Sequence, residues 1–377
     1  MLPVVPSLYI HIPFCRKKCL YCDFCSVTYN ESLAADYVNV LCSQINGLQE
    51  SFSTIYIGGG TPTVLGNNLL VQLLKSLKKL VFADTEFTVE ANPESLNEKA
   101  IDILLNTGVN RLSIGVQSFN DDTLKKLGRI HNAQTAYEAV TKASKRGFKN
   151  ISIDLMFGAW DETIEDWEEE LKKAVSLPVQ HISTYSLTYE KNTPLCMRKE
   201  KGQIQPLENE TIAEMYEHAI DYLEDNGFKH YEISNFAKEG FSCRHNLNYW
   251  ENSPYRGLGI SAVSYSEGIR KENITDTLEY IKRVRSGEDI IQFQEKLSND
   301  RRAKETAAVK IRTKKGIDFA WFKKKTGFDF LVLEHEPIAS LREKELIDYT
   351  RIDGTIKGVS LTKKGFLFCD SVSSELL

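Results

Sequence analysis

The chain has 377 residues, enough for a large hydrophobic core and for two domains. Hydrophobic residues make up 42% of the sequence and charged residues 26%, which is the composition of an ordinary globular protein. Lysine and arginine number 47 against 52 aspartates and glutamates, and the resulting net charge of −5 gives no general attraction to nucleic acid. We therefore expect no nucleic-acid partner.

The N-terminal stretch MLPVVPSLYIHIPFC has no basic residue before Arg16 and contains three prolines, so it is a poor signal peptide. No run of about 18 apolar residues occurs, so no transmembrane segment is expected. Both features predict a cytoplasmic protein. Four of the eight cysteines lie between positions 15 and 25, and in a large chain without a secretion signal such clustering indicates a metal site instead of disulfides.

Six short β-rich runs alternate with helical segments, such as those over residues 68–81 and 135–146. This alternation predicts repeated βαβ units, a parallel sheet, and a barrel or open partial barrel whose site residues lie at the carboxyl ends of the strands. From about residue 266 the pattern changes to helices with a late hairpin-like piece, TIKGVSLTKKG, so we predict a smaller, mostly helical C-terminal domain. The predicted strands end at Pro13, Gly60, Asn92, Gln117, Gly158 and Leu187.

The string CRKKCLYC follows the first predicted strand directly and carries Cys15, Cys19 and Cys22. Cysteine thiolates are the usual ligands of iron–sulfur clusters. Three ligands for four irons leave one iron open to a chelating amino-carboxylate group. The sequence therefore predicts a 4Fe–4S cluster with one open position.

A structural zinc site formed by these three cysteines and Cys25 is the alternative interpretation. Zinc sites usually draw two cysteine pairs from separated loops, so four ligands in one short loop fit zinc poorly. The role of Cys25 stays open among a spare thiol, a fourth cluster ligand and a packing residue.

The second predicted strand ends in Gly58, Gly59, Gly60 and Thr61. Consecutive glycines let a backbone approach a ligand closely and offer unshielded amides. One βα unit after the cysteine loop, this turn is predicted to bind the amino-acid end of the molecule that chelates the open iron.

Together with VEANPESL and RLSIGVQSF, the motifs CRKKCLYC and IGGGTPT resemble the radical S-adenosylmethionine (SAM) proteins of the HemN/HemW group. This group contains oxygen-independent coproporphyrinogen III oxidases and haem chaperones. The resemblance implies an α/β fold, a partial (β/α)6 TIM-like barrel over residues 1–265 with the cluster and SAM site, and a C-terminal domain over residues 266–377.

The resemblance also implies roles for residues in the SAM site. Tyr9 would contact the methionine part of SAM and Tyr21 would pack near its adenine, while Glu90 accepts from the ammonium group and Arg129 pairs with the carboxylate. The remaining implied contacts are Gly59, Gly60 and Thr61 to the amino-acid end, and Gln117 and Asp154 to the ribose hydroxyls.

One loop departs from the group's pattern. After DLMFG the group usually continues with Leu-Pro-Gly-Gln-Thr, whereas this chain has Ala159, Trp160, Asp161, Glu162 and Thr163. The Pro-Gly turn is lost at a loop predicted to lie at the barrel mouth. This departure therefore bears on whether a substrate or haem enters there.

The string HNLNYW at residues 245–250 matches the HNxxYW motif of the haem chaperones in this group. Imidazole is a common ligand of haem iron, so His245 is the candidate ligand, with Cys243 as an alternative. Tyr249 and Trp250 offer flat apolar surface to a porphyrin. The competing interpretation is a turn whose aromatic residues close the end of the barrel.

Three features favour the haem chaperone over the oxidase: only 14 residues before Cys15, Phe24 where the oxidase has a further cysteine, and the HNxxYW string. The resemblance then implies a protein that binds haem and transfers it to acceptors such as respiratory haem proteins. The alternative is oxidative decarboxylation of coproporphyrinogen III to protoporphyrinogen IX. A peripheral contact with a membrane and a homodimer are left open.

Overall fold

The structure is a computed structural model that describes residues 6–377. Residues 1–5 lie outside the described residues, and with them part of the stretch predicted to be a poor signal peptide and the first residues of the predicted barrel domain. No helix within residues 6–377 is long and apolar enough to cross a membrane.

The strands begin and end close to the positions predicted from the sequence. All six predicted strands form, and each ends at its predicted last residue or one residue before it. In chain order the strands are β1 (Ser7–Ile12), β2 (Phe14–Cys15), β3 (Val27–Thr28), β4 (Thr54–Gly59), β5 (Glu86–Ala91), β6 (Arg111–Gln117), β7 (Ile151–Phe157), β8 (His181–Ser186), β9 (Lys229–Glu232), β10 (Asn235–Ala237), β11 (Tyr255–Leu258), β12 (Val263–Ser266), β13 (Ile269–Asn273), β14 (Ile291–Lys296), β15 (Ile317–Asp318), β16 (Ile347–Ile352) and β17 (Thr355–Leu361).

The helices fill the connections between the strands. The two helices predicted over residues 68–81 and 135–146 are α2, extended by a 3-10 turn at Lys78–Leu80, and α5. In chain order the helices are α1 (Glu31–Gly47), α2 (Gly66–Leu77), α3 (Glu98–Asn106), α4 (Asp121–Leu127), α5 (Ala133–Arg146), α6 (Ile164–Ser176), α7 (Pro194–Glu200), α8 (Asn209–Asp225), α9 (Arg244–Trp250), α10 (Thr277–Ser286), α11 (Asn299–Lys310), α12 (Phe319–Thr326), α13 (Phe330–Leu333), α14 (His335–Glu343), α15 (Lys363–Leu367) and α16 (Cys369–Glu375).

Six parallel strands, in the order β1-β4-β5-β6-β7-β8, form the partial barrel. Strands such as β6, RLSIGVQ, are buried over almost their whole length because helices cover one face and the barrel interior the other. Amphipathic helices α2, α3, α5 and α6 pack their apolar faces on the outside. The predicted α/β partial barrel is therefore confirmed.

The barrel sheet continues at both ends. Strand β11 adds parallel to β1, and β12, β13 and β14 follow it antiparallel, while β10 and β9 extend the sheet beyond β8. The domain boundary at residue 266 stays a prediction, and the chain remains hydrogen-bonded to the barrel sheet as far as Lys296.

After Lys296 the chain forms helices α11 to α16 around a small three-stranded sheet in the order β15-β17-β16. The predicted hairpin-like piece, residues 355–365, forms β17 and the start of α15 instead of a hairpin of its own, and β17 pairs antiparallel with β16, which precedes that segment. This region is joined to the barrel through β9, because Glu232 forms a β-bridge with Thr313 and the amide of Lys314 donates to the carbonyl of Tyr231 at 3.0 Å.

Candidate functional site

The cysteine loop leaves the carboxyl end of β1, where all six parallel strands of the barrel end. Backbone hydrogen bonds hold this loop from several sides. The amide of Val27 donates to the carbonyl of Pro13 at 2.7 Å, and the amide of Tyr29 donates to the carbonyl of Cys15 at 2.8 Å. In the middle of the loop, the amide of Leu20 donates to Leu127 and its carbonyl accepts from Leu195, each at 3.0 Å.

The three predicted cluster ligands are free, partly exposed thiols on this loop. Thr61 Oγ1 lies 3.7 Å from Cys15 Sγ as a donor, and the guanidinium of Arg129 donates to Cys19 Sγ at 3.3 Å. Burial raises the pKa of the Cys22 thiol to about 11, and the neighbouring Cys19 and Cys15 raise it as well. Such thiols lose their protons when a bound metal supplies the compensating charge.

The thiols of the loop are separate side chains, and no three His, Cys, Asp or Glu side chains within residues 6–377 converge on one point. The choice of a cluster over zinc stays a prediction from the cysteine spacing, in which each thiolate would bind a different iron. Cys25 points elsewhere, since its Sγ lies 3.5 Å from the carbonyl of Thr275, outside the loop.

The glycine turn packs against the base of the cysteine loop. A Cβ atom on Gly60 would lie 2.6 Å from the carbonyl oxygen of Phe14. Gly59 has a φ of +107°, and a Cβ atom there would lie 2.6 Å from the ring of His11. Only glycine fits these two positions. The turn therefore fixes Thr61 beside Cys15.

The amides of this turn are not free, which corrects the reason given for them from the sequence. Gly60 donates to the carbonyl of Ile12 at 2.7 Å, Thr61 donates to that of Phe14 at 2.8 Å, and Gly59 donates to Glu90 at 3.2 Å. Their contact with SAM stays a prediction, and it would rest on close backbone approach instead of unshielded amides.

Glu90 lies inside the barrel beside Tyr9 and Tyr56. Its carboxylate accepts from the hydroxyl of Tyr56 at 2.7 Å, and Tyr9 donates to or accepts from His11 at 3.1 Å. Burial raises the pKa of Glu90 to about 7, although the Tyr56 hydrogen bond lowers it. A buried carboxylate of this kind is stabilised by a cation, which fits the predicted ammonium contact.

An upper cavity of about 690 Å³ opens beside Glu90 and the cysteine loop. Its volume lies within the range of small-molecule sites. Its walls include Tyr9, His11, Lys18, Cys25 and Gly59. The predicted SAM contacts Tyr9, Gly59 and Glu90 are thus brought together at the mouth of the barrel.

Arg129 is held next to the cluster loop by three acceptors. Besides Cys19 Sγ, its guanidinium donates to Asn92 Oδ1 at 2.7 Å and to the carbonyl of Gly115 at 2.9 Å. Asn92 in turn donates to Thr61 Oγ1 at 2.8 Å. Asn92 therefore links the two side chains that contact the cluster cysteines, a role that its place in VEANPESL did not reveal.

The other predicted SAM residues lie at different depths. Gln117 ends β6 in the left-handed region at φ 66°, and Tyr21 packs beside Leu127 in a small apolar cluster under the loop. Asp154 lies deeper in the barrel, where Ser113 donates to it at 3.3 Å and burial raises its pKa. The ribose contacts predicted for Gln117 and Asp154 stay predictions.

The loop that departs from the group's pattern is closed by Glu162 in place of a Pro-Gly turn. The buried carboxylate of Glu162 accepts from the amides of Gly158 at 2.6 Å and Ala159 at 3.0 Å. Lys126 lies over the ring of Trp160 at 5.6 Å and donates to its carbonyl at 2.9 Å. The loop therefore has its own hydrogen-bonded structure.

Glu162→Ala is expected to lower the free energy of unfolding by about 1–3 kcal/mol, because two buried amides lose their acceptor. Urea denaturation of the variant and the wild type measures this difference. Glu165→Ala, at an exposed position of α6, is the matched control and should change stability by only a few tenths of a kcal/mol. Equal losses for the two variants would contradict the role given to Glu162.

The HNLNYW segment forms α9 and closes the opposite end of the barrel. His245 Nδ1 pairs with Thr54 Oγ1 at 2.8 Å, and the His245 amide donates to Glu86 at 3.0 Å. Thr54 and Glu86 are the first residues of β4 and β5. Because parallel strands all begin at the edge opposite to the cysteine loop, the structure does not bring this motif to the cluster.

His245 itself is enclosed. It is 1% exposed, its Nε2 pairs with the hydroxyl of Tyr249 at 3.0 Å, and its ring stacks on Tyr56. Burial lowers the pKa of His245 to about 3, with a further contribution from Arg111. Its role as a haem ligand stays a prediction and requires Tyr249 to move away from Nε2.

Tyr249 and Trp250 line a lower cavity of about 330 Å³. This cavity lies between α9, the turn from β9 to β10 and the segment after α11, and its other walls include Tyr185, Asn235 and Arg312. Of these wall residues, only Tyr249 and Trp250 were predicted from the sequence as haem contacts, and Arg312 is more than 60 positions further along the chain.

A partial barrel with a three-cysteine loop after its first strand defines a radical SAM protein. Residues 9–174 match the Radical SAM superfamily. The chain is 37% identical to the protein named heme chaperone HemW from Lactococcus lactis, over 97% of both chains. It is 36% identical to the protein of the same name from Bacillus subtilis, over 98% of this chain and 99% of that one.

The chain belongs to the HemW family within the radical SAM superfamily. The superfamily implies a 4Fe–4S cluster and SAM as its cofactors. Among solved structures, the coproporphyrinogen III oxidase HemN of Escherichia coli matches with a TM-score of 0.85 over 99% of this chain and 90% of that one. At 22% sequence identity, this match supports the fold alone.

Proposed function

We propose that this chain is a cytoplasmic haem chaperone, which binds haem and passes it to acceptor haem proteins. Its similarity to HemW proteins over almost the full length of both chains carries this proposal. The lower cavity supports it, since Tyr249 and Trp250 present aromatic surface to a ligand there. Aromatic surfaces of this kind suit a flat macrocycle.

The cofactor site is proposed to work alongside haem binding. Cys15, Cys19 and Cys22 would hold the cluster, and Glu90 and Arg129 would orient SAM at the barrel mouth. A cluster with bound SAM supplies one-electron chemistry. The residues of this chain contribute the binding, the orientation and the exclusion of water at that end of the barrel.

Trp250→Ala is expected to weaken haem binding by about 1.5–3 kcal/mol, because a large aromatic contact with the porphyrin is lost. Haem titration of the reconstituted protein, followed by the Soret band, measures the change. Trp321→Ala is the matched control, since Trp321 packs against Lys310 in the C-terminal region. Equal haem affinity for Trp250→Ala and the wild type would argue against this contact.

The same titration examines the iron ligand and the alternative function. His245→Ala should shift the Soret band if the imidazole binds the iron, even where the affinity falls only modestly. A second sample receives coproporphyrinogen, SAM and a reductant. Conversion to protoporphyrinogen at many turnovers, with no haem-dependent Soret band, would replace the chaperone proposal with the oxidase.

A further inference from the structure

The lower cavity contains a cation as well as aromatic rings. Arg312 lies on its wall, with its guanidinium 5.9 Å from the centre of the Trp250 ring and its side chain 25% exposed. A guanidinium has five donors in a planar arrangement that matches a carboxylate. The cavity therefore combines a flat apolar wall with a donor for an anionic group.

The present partner of Arg312 is easily exchanged. The guanidinium pairs with Asp370, whose side chain is 90% exposed. An ion pair with a partner so accessible to water contributes little to stability. The acidic group that lines the cavity, Glu232, accepts from the amide of Ser234 at 3.0 Å and from Asn235 Nδ2. Arg312 can thus give a ligand carboxylate the donors that Asp370 now uses.

One further polar atom on the wall, Asn235 Oδ1, has no hydrogen-bond partner within the described residues, whereas the indole N–H of Trp250 lies next to the carboxylate of Glu232. Asn235 is only 3% exposed. Unpaired buried polar atoms cost free energy, so a ligand or water with complementary groups is favoured at this wall.

We propose that the lower cavity binds the carboxylate-bearing edge of the tetrapyrrole, with Arg312 paired to a propionate and the macrocycle against Tyr249 and Trp250. This inference rests on the proposed haem function. At about 330 Å³ the cavity is near the lower limit of small-molecule sites, so it encloses an edge of the macrocycle and leaves the remainder outside. The partly exposed Arg312 side chain marks the open side.

The test compares haem with haem dimethyl ester, in which both propionates are uncharged. Arg312→Gln should weaken haem binding roughly tenfold to a hundredfold, as expected for the loss of a charge-assisted hydrogen bond. The ester should bind the wild type more weakly than haem does, and it should bind Arg312→Gln and the wild type alike. Arg342→Gln, which removes a guanidinium stacked on Tyr349, is the matched control.

A second variant leaves the cavity wall intact. Asp370→Asn removes the exposed competitor of Arg312 and should strengthen haem binding about twofold to fivefold without changing ester binding. Asp353→Asn makes the same change of charge at the tip of the β16–β17 hairpin and should leave both affinities unchanged. This arm remains decisive if Arg312→Gln folds poorly.

The outcomes separate this inference from the proposed function. If the wild type binds no haem, the proposed function fails. If it binds haem and the ester equally, or if Asp370→Asn and Arg312→Gln leave the ratio of the two affinities unchanged, haem binding stands and the pairing of Arg312 with a propionate is wrong.

Discussion

Cys19→Ala is expected to abolish the iron–sulfur absorbance of protein reconstituted anaerobically with iron and sulfide. The three thiols of the loop are the proposed ligands of one cluster, so the loss of any one would leave two ligands and expose the cluster to breakdown. Cys15→Ala and Cys22→Ala should behave alike. The visible absorbance of the iron–sulfur cluster and the iron content per chain measure the effect.

Cys25→Ala is the matched control for this loss. Its thiol lies beside the carbonyl of Thr275, away from the three proposed ligands, so most of the cluster should remain. Circular dichroism of each apoprotein shows whether the fold is intact. If Cys25→Ala loses the cluster as fully as Cys19→Ala, the assignment of three ligands is wrong.

Arg129→Ala and Glu90→Gln are each expected to cost about 2–5 kcal/mol of SAM binding, because each removes half of a buried charge pair. The loss for Arg129→Ala also includes its contacts with Cys19 and Asn92. Calorimetry on the cluster-loaded protein measures both, with the exposed Arg198→Ala as the control. If Arg129→Ala bound SAM with wild-type affinity, the assignment of Arg129 to the SAM site would be wrong.

The pH dependence gives Glu90 a signature of its own. Burial raises its pKa to about 7, so the carboxyl group is neutral below that pH and charged above it. The charged form accepts hydrogen bonds from the amino group of SAM more strongly than the neutral form does. Wild-type affinity for SAM should therefore fall as the pH drops from about 8 to about 6, whereas Glu90→Gln should bind weakly and evenly across this range. A parallel decline in both would assign the effect to another group.

The barrel could be read from the sequence because its strands are buried on both faces. Short β-prone runs such as RLSIGVQ, which is buried at nearly every position, end in a polar residue, so both the strand and its end are visible in the sequence. The three proposed cysteine ligands were equally visible in the sequence, since one loop carries all three. Cooperating residues from a single segment leave a pattern that spacing can reveal.

Contacts between distant segments could not be read in this way. Asn92 links Thr61 to Arg129 only because three loops meet at one edge of the sheet. The position of His245 at the far end of the barrel follows from α9 packing under the starts of β4 and β5. Arg312 reaches Trp250 because β9 holds the segment after α11. None of these placements is encoded in a local pattern.

The backbone bonds around the cysteine loop involve main-chain atoms and none of the thiols. Strands β2 and β3 pair on either side of the loop, and Leu20 joins its middle to Leu127 and Leu195. In zinc fingers, by contrast, the metal ligands themselves supply the folding free energy. The side chains that would bind the cluster can therefore be exchanged one at a time without deleting any of these backbone bonds, so a ligand can be lost independently of the contacts that shape the loop.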